Sequence, residues 1–102
     1  MSAKIQRITL TTAQVLVCLL QCEGEMYGRA IIKEVDVKGG TVYPILNRLH
    51  ATGWIKRRKE RIDPRKEGRP PRVFYALTPT GRREAEEVVA RVKDKLQTRG
   101  DA

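Results

Sequence analysis

A chain of 102 residues, 40% hydrophobic and 32% charged, is expected to fold as one soluble domain with a modest core, not to stay disordered. No apolar run approaches the roughly 18 residues of a membrane span. The start of the sequence, with Lys4 and Arg7, shows no small-residue cleavage site after an apolar segment, so the expected location is the cytoplasm.

The net charge of +9 points to a polyanionic partner. It is unevenly spread. Residues 56–72, KRRKERIDPRKEGRPPR, carry nine basic and three acidic side chains, a balance of +6, whereas residues 12–37 carry two basic and four acidic, a balance of −2.

Thr11 and Thr12 are candidate caps for a first helix, and the run AQVLVCLLQC follows from Ala13 to Cys22. Ala13, Leu16, Val17 and Leu20 make one apolar face; Val15, Cys18, Leu19 and Cys22 make a second. A helix apolar nearly all round is buried on more than one side, and in so small a chain the second side is expected to meet another subunit. Cys18 and Cys22 read as small buried hydrophobes. A thiol sensor would want a basic neighbour to lower its pKa, and none is in sight. A zinc site lacks its remaining ligands, because His50 is the only histidine, so no metal is expected.

A second helix reads from about Met26 to Val35, with Tyr27, Ile31 and Val35 four apart, and DVKGG ends it. A third runs from about Gly40 to Thr52. Within GGTVYPILNRLH, Val42, Ile45, Leu46 and Leu49 recur at i, i+3, i+4 and i+7, the stripe of a helix lying on a core. Pro44 falls within the first turn or so, where backbone N–H groups lack intrahelical partners, and Gly53 supplies the stop. Thr41, Pro44, Asn47 and Arg48 occupy the opposite arc, with Tyr43 at its edge.

Beyond Gly53 the period changes. WIKRRKER and RVFYALT have the β-branched and aromatic character of strands, with Val73, Tyr75 and Leu77 alternating, and IDPRKEGRPP between them is a loop by composition. The pair makes a hairpin with a long, positively charged tip. Thr78 or Thr80, flanking Pro79, opens a last helix. Ala85, Val88, Val89, Val92 and Leu96 form its narrow apolar stripe, and early Glu84, Glu86 and Glu87 with late Arg91, Lys93, Lys95 and Arg99 suit the helix dipole. Such a helix is marginal alone and needs something to lie against.

The order α-α-α-β-β-α, mainly α with a small β-hairpin (an α+β arrangement), is that of a winged helix-turn-helix. Residues 1–78 would form the DNA-binding domain and residues 79–102 a C-terminal dimerisation helix. The second helix of a helix-turn-helix enters the major groove, which explains a buried helix with a polar arc. Arg48 suits bidentate bonding to guanine and Asn47 to adenine. The Thr41 and Tyr43 hydroxyls suit phosphate oxygens, as does the helix start. The basic hairpin can reach the neighbouring groove or backbone. Lys38, Thr41, Tyr43, Pro44, Asn47, Arg48, Arg58, Lys66, Arg69 and Arg72 are therefore the candidate DNA-binding residues.

No catalytic site or cofactor is expected: there is no paired-carboxylate pattern, and the glycines of GEMYG and KGGT do not make GxxxxGK[ST]. Two other readings are an RNA-binding basic domain and a protein-interaction scaffold of winged-helix fold. The first is short of stacking rings, since Tyr27, Trp54 and Tyr75 lie on apparent core faces.

MYGRAIIKEV, GGTVYPILNRLHATGWI and GRPPRVFYALTPTGRREAEEV together resemble the PadR family of bacterial transcriptional regulators, over about Met26 to Gly81. The resemblance implies a homodimer acting on an inverted-repeat DNA operator, mostly as a repressor. It gives recognition-helix roles to Thr41, Tyr43, Pro44, Asn47 and Arg48, wing roles to Arg69 and Arg72, and wing-core roles to Tyr75 and Leu77. Trp54 stands where the family usually has a smaller aliphatic residue; core packing is expected there, with ligand stacking as the alternative. The chain is similar to the short subgroup with one C-terminal helix, which would pack with the first helix of the other subunit. Val15 and Leu19 with Val88, Val92 and Leu96 are the dimerisation residues so implied. Some family members bind phenolic compounds or drugs at the dimer interface, which implies a small aromatic effector.

Overall fold

The computed structural model describes residues 8–100, with side chains through residue 94. Thr9 opens α1 (Leu10–Gln21), its hydroxyl accepting the Thr12 N–H at 3.1 Å. The cap thus lies ahead of the expected Thr11 or Thr12: Thr9 has the extended backbone a cap requires, while Thr12 is buried inside the first turn. Next come β1 (Met26–Tyr27), α2 (Gly28–Val35), α3 (Gly39–Ala51), β2 (Ile55–Lys59), α4 (Pro64–Glu67), β3 (Val73–Leu77) and α5 (Pro79–Gly100). No helix among the described residues is long and apolar enough to cross a membrane.

The architecture is the winged helix-turn-helix expected, with two additions. Met26 and Tyr27 do not start the second helix. They pair antiparallel with Tyr75 and Phe74, so the hairpin is a three-stranded sheet in the order β1-β3-β2. β2 and β3 run in register from Ile55 opposite Leu77 to Lys59 opposite Val73. Inside the wing loop, Asp63 caps the one-turn helix α4 by accepting the Arg65 N–H at 3.0 Å.

The core gathers around α1. Val15, Leu16 and Leu19 are packed with Ile31 of α2, Val42, Leu46 and Leu49 of α3, and Ile55 of β2, all essentially sealed from solvent. This corrects the expectation that Val15 and Leu19 face a second subunit. They are 0% and 1% exposed within one chain, because α5 lies on α1 and fills the second apolar face, with Ala85 and Val88 buried in the same cluster. Val92 is only half-buried, and the side chain of Leu96 lies outside the described residues.

One junction ties the recognition helix to the wing and to α5. The Trp54 N–H donates to Leu49 O at 3.0 Å, ending α3, and the Trp54 carbonyl accepts the Thr78 N–H at 2.9 Å. The Thr78 hydroxyl donates to Gly53 O at 2.7 Å and accepts the Gly81 N–H at 2.9 Å, so it caps α5 as it closes the sheet. A Cβ on Gly81 would lie 1.7 Å from the Trp54 carbonyl oxygen, so this crossing admits only glycine. The Trp54 ring is 2% exposed, leaving no face for a stacked ligand. Its Nε1 finds no acceptor among the described residues.

A second clasp shapes the wing. Glu60 accepts Arg69 Nη1 at 2.7 Å, Arg69 Nη2 at 3.2 Å and the Arg72 N–H at 3.1 Å. The bidentate Arg69, joined by the Arg72 N–H, holds this carboxyl at about 2, below its ordinary 4.5.

Two outcomes are expected from these contacts. Gly81→Ala should destabilise the fold by about 1–3 kcal/mol or more through overpacking, measured by urea denaturation. Gly40→Ala, where nothing lies within 4 Å of a Cβ, should not. For Glu60, a depressed pKa means its contribution to stability is full above about 4.5 and fades as the pH falls toward about 2. The gap in melting temperature between wild type and Glu60→Gln should therefore be present at neutral pH and close across that acid window. A gap that widened with acid would contradict the clasp.

Candidate nucleic-acid interface

α3 divides its surface cleanly. Val42, Ile45, Leu46 and Leu49 are buried, while Thr41, Tyr43, Pro44, Asn47 and Arg48 are exposed, with Lys38 exposed at the N-cap and His50 exposed near the far end. Pro44 is the sixth residue of the helix, one residue deeper than a start at Gly40 would make it. Lacking an N–H, it leaves the Gly40 carbonyl without its usual partner four residues on.

Tyr43 is held in place by two glycines. A Cβ at Gly28 would come 2.9 Å from its ring and hydroxyl, and one at Gly39 would come 3.1 Å from the ring. The phenol therefore lies across the start of α2, still 40% exposed.

The wing stands beside this arc. Ile55 anchors β2, and Lys56, Arg57, Arg58 and Lys59 are all exposed, so the strand does not bury alternate residues as a packed strand would. Arg57 Nη1 donates to Asn47 Oδ1 at 3.4 Å, a long contact linking wing and recognition helix. Arg58 lies over the Phe74 ring at 4.8 Å and pairs with Glu25, and that pairing holds the Glu25 carboxyl below its ordinary range. Arg72 lies over Tyr27 at 5.0 Å, and the Tyr27 and Phe74 rings are 6.1 Å apart. Lys66 is exposed on α4 at the wing tip.

The residues singled out from the sequence thus lie at the start and outer arc of α3 and along the wing, where Arg57 turns to Asn47 while Arg58 and Arg72 lie over the Phe74 and Tyr27 rings. Two of them already hold a carboxylate: Arg58 pairs with Glu25, and both terminal nitrogens of Arg69 are taken by Glu60. The sequence reading missed Arg57, which was only one cation in a run, and the cleft at the wing root. That cleft, about 340 Å³, is lined by Tyr27, Gly28, Tyr43, Arg72 and Tyr75 among others. Its one sequence signal was the absence of any Ser, Thr, Asp or Asn ahead of α2, where Tyr27 is the N-cap and offers no side-chain bond.

Cys18 takes the expected packing role in the core, whereas Cys22 is only half-buried and lies outside that cluster. Burial pushes the Cys18 thiol up to about 11 and also raises Cys22, so both stay protonated near neutral pH. Cys18 donates to Met26 Sδ at 3.4 Å. Among the described residues no group of three His, Cys, Asp or Glu is placed to hold a metal.

A model of the transcriptional regulator PadR-like family matches residues 15–87. No match was found among curated proteins. Among solved structures, AbfR of Staphylococcus epidermidis, in its reduced form bound to DNA, is 26% identical with a TM-score of 0.63, covering 82% of this chain and 56% of that one. The chain thus spans little more than half the length of that relative. A PadR family transcriptional regulator from Eggerthella lenta is 25% identical, TM-score 0.70, covering 85% of this chain and 78% of that one. BpsR of Bordetella bronchiseptica, whose DNA binding is regulated by 6-hydroxynicotinic acid, is 25% identical, TM-score 0.72, covering 95% and 68%. The family match runs through the helix-turn-helix, the wing and the first turns of α5, the same elements that build the exposed arc and its support, and the chain belongs to the transcriptional regulator PadR-like family.

Proposed function

We propose that the chain binds double-stranded DNA in a sequence-specific way, as a homodimeric repressor on an inverted-repeat operator. α3 enters the major groove, and the wing follows the backbone or the adjacent minor groove. The observation that carries this reading is the exposed arc of Thr41, Pro44, Asn47 and Arg48 on a helix whose other side is sealed in the core. A fixed helix bearing free donors is what base-edge readout requires. The DNA-bound AbfR structure supports the same partner.

Arg48 reads guanine and Asn47 reads adenine. Thr41, Tyr43, Lys38, Lys66 and Arg72 take phosphates, and Arg58 can exchange Glu25 for one. Arg69 acts mainly by holding the wing root. The second copy packs along the outer side of α1 and α5. Leu10, 67% exposed, and Val17 and Val92 line an open groove of about 290 Å³ there. That apolar groove is also where a small aromatic effector would lodge, by analogy with the ligand-regulated BpsR.

Arg48→Ala should cost about 1–3 kcal/mol at one base pair per half-site and relax preference there. Lys66→Ala should weaken all duplexes alike and flatten the log–log salt slope by roughly 0.9. Binding-site selection from random duplexes followed by gel shifts over a salt series checks both. Half-sites about 34–36 Å apart are expected, and unchanged binding in both variants would defeat the reading. Leu10→Glu combined with Val17→Glu should yield a monomer by analytical ultracentrifugation; a dimer that persisted would move the subunit interface elsewhere.

A further inference from the structure

Both cysteines of the chain and one of its two methionines meet at one hollow. It is an open recess of about 180 Å³, lined by Cys18, Gln21, Cys22, Met26 and Glu34, where the end of α1, β1 and α2 come together. The Cys22 N–H bonds to Cys18 O at 3.2 Å, so the two thiols keep the i, i+4 spacing of neighbours on one helix face. The returning chain brings the Met26 thioether to 3.4 Å from the Cys18 thiol. That separation is within twice the ~2.3 Å of a metal–sulfur bond, so one ion can touch both.

Packing does not account for all of this sulfur. Cys18 belongs to the core and Met26 lies against it, but Cys22 is half-buried and outside that cluster. Its thiol, a weak donor, turns to the carbonyls of Leu19 at 3.3 Å and Gly24 at 3.8 Å. A rotation about one side-chain bond would aim it into the recess instead. Two thiols and a thioether are soft donors, and soft donors select Cu(I). Zinc wants four ligands drawn from thiolate, imidazole and carboxylate. The only histidine, His50, is exposed on α3, and the two thiols do not come together with the Glu34 carboxylate as a zinc set. The open side at Cys22 supplies the way in. Arg82 of α5 is close enough to favour the charged form of Cys22, which offsets the net charge of −1 that two thiolates and Cu(I) create.

We propose that this recess binds one Cu(I) ion through Cys18 Sγ, Cys22 Sγ and Met26 Sδ. On binding, each thiol gives its proton to solvent and forms a bond to the metal, the thioether donates a lone pair, and the ion remains Cu(I). The ion fastens the end of α1 to the strand that leads into α2. The site stands whether or not the chain binds DNA.

The test titrates Cu(I) anaerobically into the full chain against the chromophoric chelator bicinchoninate. Wild type should withdraw one ion per chain. Loss of even an outer-shell partner weakens metal binding by about 10–100-fold, so Cys22→Ser and Met26→Leu should each weaken it by at least that much. Neither residue is sealed in the core, and circular dichroism without copper checks that both variants fold. A second measurement needs no variant: one equivalent of Ag(I), equally soft and free of redox chemistry, should shift the Met26 methyl resonance of wild type. Copper left with the chelator, variants that hold it as tightly as wild type, or an unmoved Met26 methyl each overturns the proposal. So does half an ion per chain, the mark of Cys22 thiols bridging two copies. Binding lost in Cys22→Ser but intact in Met26→Leu overturns the three-sulfur site.

Discussion

Four segments meet at the backbone of Trp54, and the rest of the molecule depends on that meeting. Its N–H closes α3 and its carbonyl receives the start of α5, while the Thr78 side chain spans the gap between Gly53 and Gly81. Without this node the recognition helix, the sheet and the last helix would be separate pieces with no fixed angle between them. The hydroxyl serves as both donor and acceptor, so one small side chain satisfies the end of one element and the beginning of another. The approach is close enough that a single methyl group on Gly81 would meet a carbonyl oxygen. A domain this small has few apolar contacts to spare, and a rigid backbone crossing is an economical way to fix geometry.

That fixed geometry matters because α3 has two opposed duties. Its apolar stripe holds it on α1 and α2, and its other side presents Asn47 and Arg48 to the outside. A donor aimed at a base edge discriminates only if the helix carrying it does not rock. Tyr43 contributes here as well, wedged between Gly28 and Gly39 so that the starts of α2 and α3 share one ring. These glycines are needed for room, not for an unusual backbone angle. That reason is invisible in a sequence.

The α3 stripe, the strand alternation of β3 and the basic wing were legible, because each is a local period or a local run. Other features depend on partners far along the chain, and local patterns do not carry them. Met26 and Tyr27 looked like the start of a helix, since a two-residue strand has no period and is defined only by Phe74 and Tyr75 opposite it. The second apolar face of α1 suggested a partner subunit, but periodicity cannot say whether a face is covered by another copy or by the chain's own α5. Glu60 is one of three acids in a basic run, and its role appears once Arg69, nine residues on, folds back to it. For Tyr75, alternation correctly gave the inward direction. That its hydroxyl ends at a cleft was beyond the reach of any pattern.

The wing's charge is therefore better counted by partner than by formula. Arg58 and Arg69 each have a carboxylate, whereas Arg48, Lys66 and the Arg72 guanidinium have none among the described residues. The two pairs are not equivalent. Arg58 is 57% exposed at its side chain and bonds across to Glu25, which is itself partly open to water, and a pair so placed is held weakly and exchanges readily for another anion. Arg69 is less exposed, bonds Glu60 through two nitrogens, and shares that carboxylate with the Arg72 backbone. Breaking it would release the loop between β2 and β3 as well as a charge. The wing thus contains cations that shape it and cations that remain available. Only the available ones can release counterions on meeting a polyanion, so the electrostatic footprint of this protein is smaller, and more sharply placed, than its formal charge of +9 suggests.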